Sequence, residues 1–175
     1  MNNYDNLNDK ELTERIADSD VNAFRALYFR YYPSLYRFVR LRTHSPDISV
    51  DLLQDVFTRL WETREKLNPR RSIRAYLFRI ANNNIIDAYR KKAVRKTDAV
   101  DDIEANSLRT GENIELRMQV QQAVQKLPEK LAVVFMLSRY EGFKYAEIAQ
   151  TCGISVKAVE KRMSKALSLL RRELL

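Results

Sequence analysis

The side chains of this sequence suit binding better than catalysis. One histidine, His44, gives no basis for a histidine-dependent triad or a histidine-rich metal site, and it reads as a surface residue near a helix end. The single cysteine, Cys152, has no partner for an internal disulfide and falls at a turn where a small packed hydrophobe is expected. Three scattered glycines build no phosphate-cradling loop. Asp51 and Asp55 stand one helical turn apart, but no further ligands converge on them to hold a cation. No metal, cofactor, small-molecule substrate or enzymatic activity is expected.

What the sequence does offer is ordered charge. The net charge of +8 points to a polyanionic partner. Its distribution is more telling than its size. Residues 70–96 hold nine Lys/Arg against one acid, residues 98–115 hold six acids against one Arg, and residues 116–175 hold eleven bases against five acids. Within the basic background, Asp51, Asp55, Thr58, Glu62 and Glu65 recur at helical spacing. Such a stripe is either a solvated face or a protein-docking surface, since acids so placed would repel DNA. Further on, Arg74, Tyr76, Arg79, Asn82, Asn83, Tyr89 and Arg90 share the non-core surface of one helix. Aromatic faces stack bases, cations hold phosphate and amides read base edges, as single-stranded nucleic acid requires. The competing reading is that Tyr76 and Tyr89 simply pack into the core.

The most specific arrangement lies near the carboxy-terminal end. Ala149, Gly153 and Val159 fall at the relative spacing 1, 5, 11 of a helix-turn-helix. Ala149 allows close helix approach, Gly153 supplies the positive φ of the turn, and Val159 packs the second helix back, with Ile148 and Ile154 between. Ser155 is the expected N-cap. Val159, Met163, Ala166, Leu167 and Leu170 point inward, whereas Lys157, Lys161, Ser164, Lys165 and Ser168 point outward. A basic, hydroxylated helix face suits the major groove, with lysines on phosphate and base reading left to Lys157, Ala158 and Lys161.

These faces need helices to carry them. Few Gly and Pro, and 45% hydrophobic residues, predict an all-α chain of two small domains joined by a flexible linker. The expected division is an extension over 1–19, a first domain over 20–96, an acidic linker over 97–115 and a second, four-helix domain over 116–175. Helices are expected over 22–42, capped by Asp20 and kinked or split at Pro33, over 48–65, and from Ser72 to about residue 96. Phe24, Leu27, Tyr28, Tyr31, Leu35, Phe38 and Val39 form the buried face of the first. Leu53, Val56, Phe57, Leu60 and Trp61 do so in the second, and Ile73, Leu77, Ile80, Ala81, Ile85 and Ala88 in the third. Pro128 is placed at the first position of a helix reaching Tyr140. No apolar run approaches the ~20 residues of a membrane span, so a cytoplasmic chain without membrane insertion is expected.

The stretches DLLQDVFTRLWETREKL (51–67), SIRAYLFRIANNNIIDAYRKK (72–92) and LPEKLAVVFMLSRYEGFKYAEIAQTCGISVKAVEKRMSKALSLLRREL (127–174) together resemble the extracytoplasmic-function (ECF) group of sigma-70 family RNA polymerase sigma factors. The resemblance implies a factor that binds core polymerase through its β′ and β subunits and directs initiation at promoter DNA. It places polymerase contacts at Asp51, Gln54 and Asp55, to which the rest of the acidic face adds Thr58 and Glu62. It assigns the −10 element to the helix carrying Arg74, Tyr76, Arg79, Asn82, Asn83, Asp87 and Arg90, with Asn82 standing where the family frequently has a basic residue. The −35 element falls to Ser155, Lys157, Ala158, Lys161, Arg162 and Lys165. It also implies an anti-sigma partner, and nucleoid association when the factor is active. The alternative is a helix-turn-helix regulator that does not direct initiation.

Overall fold

The computed structural model describes the backbone of residues 4–94 and 114–174, with side chains over 4–91 and 118–174. Among these residues there are helices and no strands. The helices pack into two units, each described separately.

The first unit begins earlier than its sequence boundary. Helix α1 (Asp9–Ala17) starts at a reciprocal cap: Asn8 Oδ1 accepts from the Glu11 N–H at 3.0 Å, and the Glu11 carboxylate accepts from the Asn8 N–H at 2.7 Å. Leu12 and Ile16 are fully buried against α2 (Val21–Thr43). Residues 9–17, assigned from sequence to an extension, are therefore an integral helix of this unit. Leu12 and Ile16 stand four residues apart and so lie on one side of the short helix, facing its larger neighbour.

Asp20 caps α2, accepting from the backbone N–H groups of Asn22 (2.9 Å) and Ala23 (3.1 Å). Pro33 does not split the helix, which runs unbroken through it. The proline faces solvent, and Tyr31 and Leu35 on either side are anchored in the core. Packing on both flanks offsets the missing N–H donor. His44 closes α2 in the left-handed conformation (φ 58°) and is half-buried rather than a surface residue.

Helix α3 (Pro46–Glu62) starts two residues before the expected point, with Pro46 in the first turn and Ser45 as N-cap. It ends three residues sooner because side chains claim its last carbonyls. Thr63 Oγ1 donates to Arg59 O at 2.7 Å, and Arg64 Nη1 donates to Trp61 O at 2.8 Å. A short 3-10 turn, Arg64–Lys66, follows. Helix α4 (Ile73–Val94) opens with Ser72 Oγ accepting from the Ala75 N–H at 3.1 Å. Its buried seam is Ile73, Leu77, Phe78, Ile80, Ala81 and Ile85, while Ala88 is only half-buried.

The second unit comprises α5 (Ile114–Gln125), α6 (Glu129–Arg139), α7 (Tyr145–Cys152) and α8 (Val156–Leu174). Ile114 and Glu115, placed in the linker from sequence, begin α5; residues 97–113 of that linker lie outside the described residues. Leu131 through Leu137 are all buried, so α6 is the hydrophobic centre against which α7 and α8 pack. Pro128 proves to be the N-cap of α6, one position before the expected one; its carbonyl accepts from Leu131 (2.8 Å) and Ala132 (3.0 Å). No described helix is long and apolar enough to cross a membrane.

Candidate functional site

Three surfaces carry the residues singled out above. The first lies on α3. Asp51, Gln54, Asp55, Thr58 and Glu62 are all exposed, and among the described residues no ion pair engages Asp51, Asp55 or Glu62. Among the described residues, Glu65, beyond the helix, is the one member of the stripe with a cation within 4 Å, Arg64 at 3.8 Å. The acids therefore keep their charge available.

Beside them runs a groove that periodicity did not reveal. Phe24, Tyr28 and Tyr32 of α2 and Gln54, Phe57, Thr58, Trp61 and Glu62 of α3 line a concavity of about 780 Å³, with Val21 and Val50 also along it. Aromatic contacts build it: Tyr28 and Phe57 lie 4.5 Å apart, and Phe24 meets the Trp61 ring edge-on at 5.1 Å. Burial raises the Tyr28 hydroxyl above its ordinary pKa, with the neighbouring Tyr32 adding to the effect. Phe24, Tyr28 and Trp61 were expected in the core seam; all three are half-exposed and line the groove instead. Along α3 from Val50 to Glu62 the concavity spans roughly 18 Å, at 1.5 Å per helical residue. Its length matches about three turns of a docked helix. Gln54, Thr58 and Glu62 belong at once to this groove and to the acidic face.

The second surface is on α4. Arg79, Asn83, Asp87 and Arg90 are exposed and Tyr76 half-exposed, whereas the half-exposed Arg74 lies on the opposite side of the helix, where its charge acts on Tyr31 of α2, and so leaves this surface. Arg79 lies over the Tyr76 ring, 5.4 Å from its centroid, and the Tyr76 hydroxyl meets Thr63 Oγ1 at 3.0 Å, which fixes the ring at the junction with the preceding loop. Asp87 and Arg90 sit 3.6 Å apart, one turn from each other. Asn82 is not part of this surface. It is 4% exposed, and its Oδ1 accepts from Arg42 Nη1 at 2.9 Å. An amide committed to a buried guanidinium has no reach to a base or phosphate, so Asn82 is removed from the nucleic-acid face. Tyr89 is exposed along its ring, yet its hydroxyl donates to the Arg42 carbonyl.

The third surface is on α8. Gly153 turns with φ 65° and its N–H donates to Ala149 O, while the Ile154 N–H also reaches Ala149 O at 3.0 Å. Ser155 Oγ accepts from the Ala158 N–H at 3.1 Å, capping α8. Val159, Met163, Ala166 and Leu170 are buried; Leu167 and Ile154 are only half-buried. Lys157, Lys161, Ser164, Lys165 and Ser168 are all exposed, and Ala158 and Arg162 half-exposed. Val156, at the first helical position, is an exposed apolar side chain that the reading of the lysine face passed over.

The family models bear directly on these surfaces. Sigma-70 region 2 matches residues 27–95, which include α3 and α4, and sigma-70 region 4 matches residues 117–170, which include the helix-turn-helix. The chain belongs to the ECF group of the sigma-70 family. It is 30% identical to the RNA polymerase sigma factor CnrH of Cupriavidus metallidurans, covering 93% of this chain and 92% of that one. It is 28% identical to the ECF RNA polymerase sigma-E factor of Escherichia coli, with 91% of each covered. A structure of CnrH in complex with the cytosolic domain of CnrY matches with a TM-score of 0.74 at 29% identity over 95% of this chain and 96% of that one. The sigma factor RpoE of Bartonella quintana, solved with the anti-sigma factor NepR, shares the fold with a TM-score of 0.73 at 24% identity, covering 86% and 96%. This sigma factor is thus a transcription initiation factor that works with core RNA polymerase at promoter DNA. The reading as a helix-turn-helix regulator without an initiation role is not favoured, because region 2 accompanies region 4 in the same chain.

Proposed function

We propose that this sigma factor divides its work among the three surfaces. The exposed carboxylates Asp51, Asp55 and Glu62, with Gln54 and Thr58, dock on core polymerase, and the aromatic groove beside them receives apolar side chains of the same partner. The observation that carries this assignment is the coincidence of unpaired acids and an open apolar groove along one helix face. Charge steers the encounter and the groove supplies buried area, a combination suited to a helix with basic and apolar sides.

Tyr76, Arg79, Asn83, Asp87 and Arg90 face the −10 element. A nucleotide captured there offsets the few kcal/mol that unstacking costs, so strand opening begins where the sequence fits. Lys157, Ala158, Lys161, Arg162 and Lys165, with the Ser155-capped end of α8, face the −35 element. Two modest DNA contacts on one polymerase-bound chain gain affinity through effective concentration. The mechanism needs no bond-making groups, and catalysis is no part of it. We place the chain in the cytoplasm, at the nucleoid when active. An anti-sigma regulator completes the proposal, supported by the family resemblance and by CnrH, whose structure is that of a complex with a cytosolic domain of another protein.

Run-off transcription tests the whole scheme. Core polymerase with this chain should produce promoter-dependent transcripts that core polymerase alone does not. Failure to form a complex with core polymerase would sink it.

A further inference from the structure

Arg42 ends up in an unusual place for a surface-type residue: at the end of α2, 2% exposed. A buried guanidinium is costly unless it is held by acceptors and ring faces. Arg42 has both. Its Nη1 donates to Asn82 Oδ1 at 2.9 Å, and its Cζ stands 4.9 Å from the centroid of the Phe38 ring. Its backbone takes part too, because the carbonyl of Arg42 accepts from the Tyr89 hydroxyl. One residue of α2 therefore grips α4 at two points seven residues apart, close to two full turns and so on one side of the helix.

The position of that grip relative to the outward face is the informative feature. At about 100° per residue, Tyr76, Arg79, Asn83, Asp87 and Arg90 all lie within roughly a quarter of the helix circumference, to one side of the line through Asn82 and Tyr89. The apolar seam of α4, built from Leu77, Phe78, Ala81 and Ile85, tolerates small rotations, because hydrophobic contacts are not directional. Hydrogen bonds to a fixed guanidinium and a fixed carbonyl tolerate them poorly. From this geometry we infer that the Arg42 clip is a positioning device: it sets the rotation of α4 about its own axis and thereby aims the exposed residues of that helix at the single strand. Arg42 and Asn82 touch no DNA themselves. The inference rests on the assignment of the α4 face to the −10 strand.

The test uses the full chain with core polymerase and a promoter selected by the wild-type holoenzyme from a randomised duplex library. Permanganate reactivity of −10 thymines reads strand opening, and core affinity is measured separately. Asn82→Leu removes the acceptor at nearly constant volume, Tyr89→Phe removes only a hydroxyl at a partly exposed ring, and Asn82→Asp keeps an acceptor for the guanidinium. Removing one buried partner should lower the opened fraction by about tenfold in Asn82→Leu and by several-fold in Tyr89→Phe. Asn82→Asp should remain near wild type, and core affinity should stay within about twofold throughout. Should Asn82→Leu fail to fold, the contrast between Tyr89→Phe and wild type decides. Wild-type opening in Tyr89→Phe, or opening and core affinity falling together, overturns the inference. If the wild-type holoenzyme itself selects and opens no duplex, it is the assignment of initiation that fails, a different result from indifferent variants.

Discussion

Asp9, in the first turn of α1, accepts from Arg30 Nη1 on α2 at 2.9 Å, and the same carboxylate accepts from the Tyr31 hydroxyl. Burial, with the Asp9 bond and charge added to it, holds the Tyr31 phenol well above its ordinary pKa, so Tyr31 stays a neutral donor throughout the physiological range. Arg30 also reaches back to the carbonyls of Asp5 and Leu7. The polar contacts set the register of α1, while Leu12 and Ile16 supply most of its stability. Leu12→Ala should cost about 3 kcal/mol, the usual scale for a fully buried leucine, read as a lower urea midpoint. Arg30→Ala, breaking a partly exposed pair, should cost only about 1 kcal/mol or less. An unmoved midpoint in Leu12→Ala would mean that α1 is a dispensable arm.

The cap of α2 carries a pH signature. Burial works against the charge of Asp20, but the Ala23 N–H, the Tyr4 hydroxyl at 2.9 Å, the Asn22 N–H and nearby Arg15 outweigh it and leave its pKa below the ordinary carboxylate value. A carboxyl more acidic folded than unfolded stabilises the fold above the unfolded value and loses that contribution as pH falls through the folded one. Asp20→Asn keeps a capping oxygen while deleting the charge. Wild type should therefore be the more stable of the two at pH 7, and the gap should narrow as pH falls below the ordinary carboxylate range and close once the folded carboxyl is protonated. Parallel curves of midpoint against pH would rule out the charged cap.

How much of this was written in the sequence depends on the distance between partners. The α7–turn–α8 arrangement was legible in detail because its determinants are local: Gly153 at its turn, Ser155 three residues before the N–H it caps, and a lysine face repeating at one helical period. Asn82 was misplaced because its partner is 40 residues away on α2, and an amide among Arg and Asn looks like surface until that guanidinium arrives. The groove was hidden for a related reason. Phe24, Tyr28 and Trp61 keep the period of a core seam, but whether such residues meet across a closed contact or line an open one depends on how α2 and α3 pack against each other. Helix α1 was overlooked since Leu12 and Ile16 are only two apolar positions in a polar stretch, although its Asn8–Glu11 cap was a readable signal.

Trp61 is the sole tryptophan of the chain, and it lines the groove with Arg64 stacked 4.6 Å from its ring centroid. Docking on that face should bury the indole and shift its emission to shorter wavelength, measurable against a core polymerase subunit lacking tryptophan at the contact. If α3 is the proposed docking face, Asp51→Lys with Asp55→Lys should weaken core binding about tenfold or more, because two attractive charges become repulsive toward the basic side proposed for the partner. The fold should be retained, as both positions are exposed. DNA binding by the α8 face should be spared. Unchanged polymerase affinity would clear α3 of the docking role.

On α8 the prediction concerns salt rather than affinity alone. Lys157, Lys161 and Lys165 are exposed at steps of four, one above another on the helix face, so each can neutralise a separate phosphate. Each such contact contributes roughly 0.9 to the slope of log affinity against log salt on duplex DNA. Lys161→Ala should therefore weaken binding to all sequences alike and flatten the slope by about 1. Val156 behaves differently: with no charge and an exposed isopropyl group at the capped end of α8, it suits the methyl of a thymine. Val156→Ala should leave the slope untouched and relax the preference at one base pair, as read by competition among promoter variants. A slope unchanged in Lys161→Ala would move that lysine off the phosphate backbone, and a changed base preference in the same variant would assign it to base reading instead.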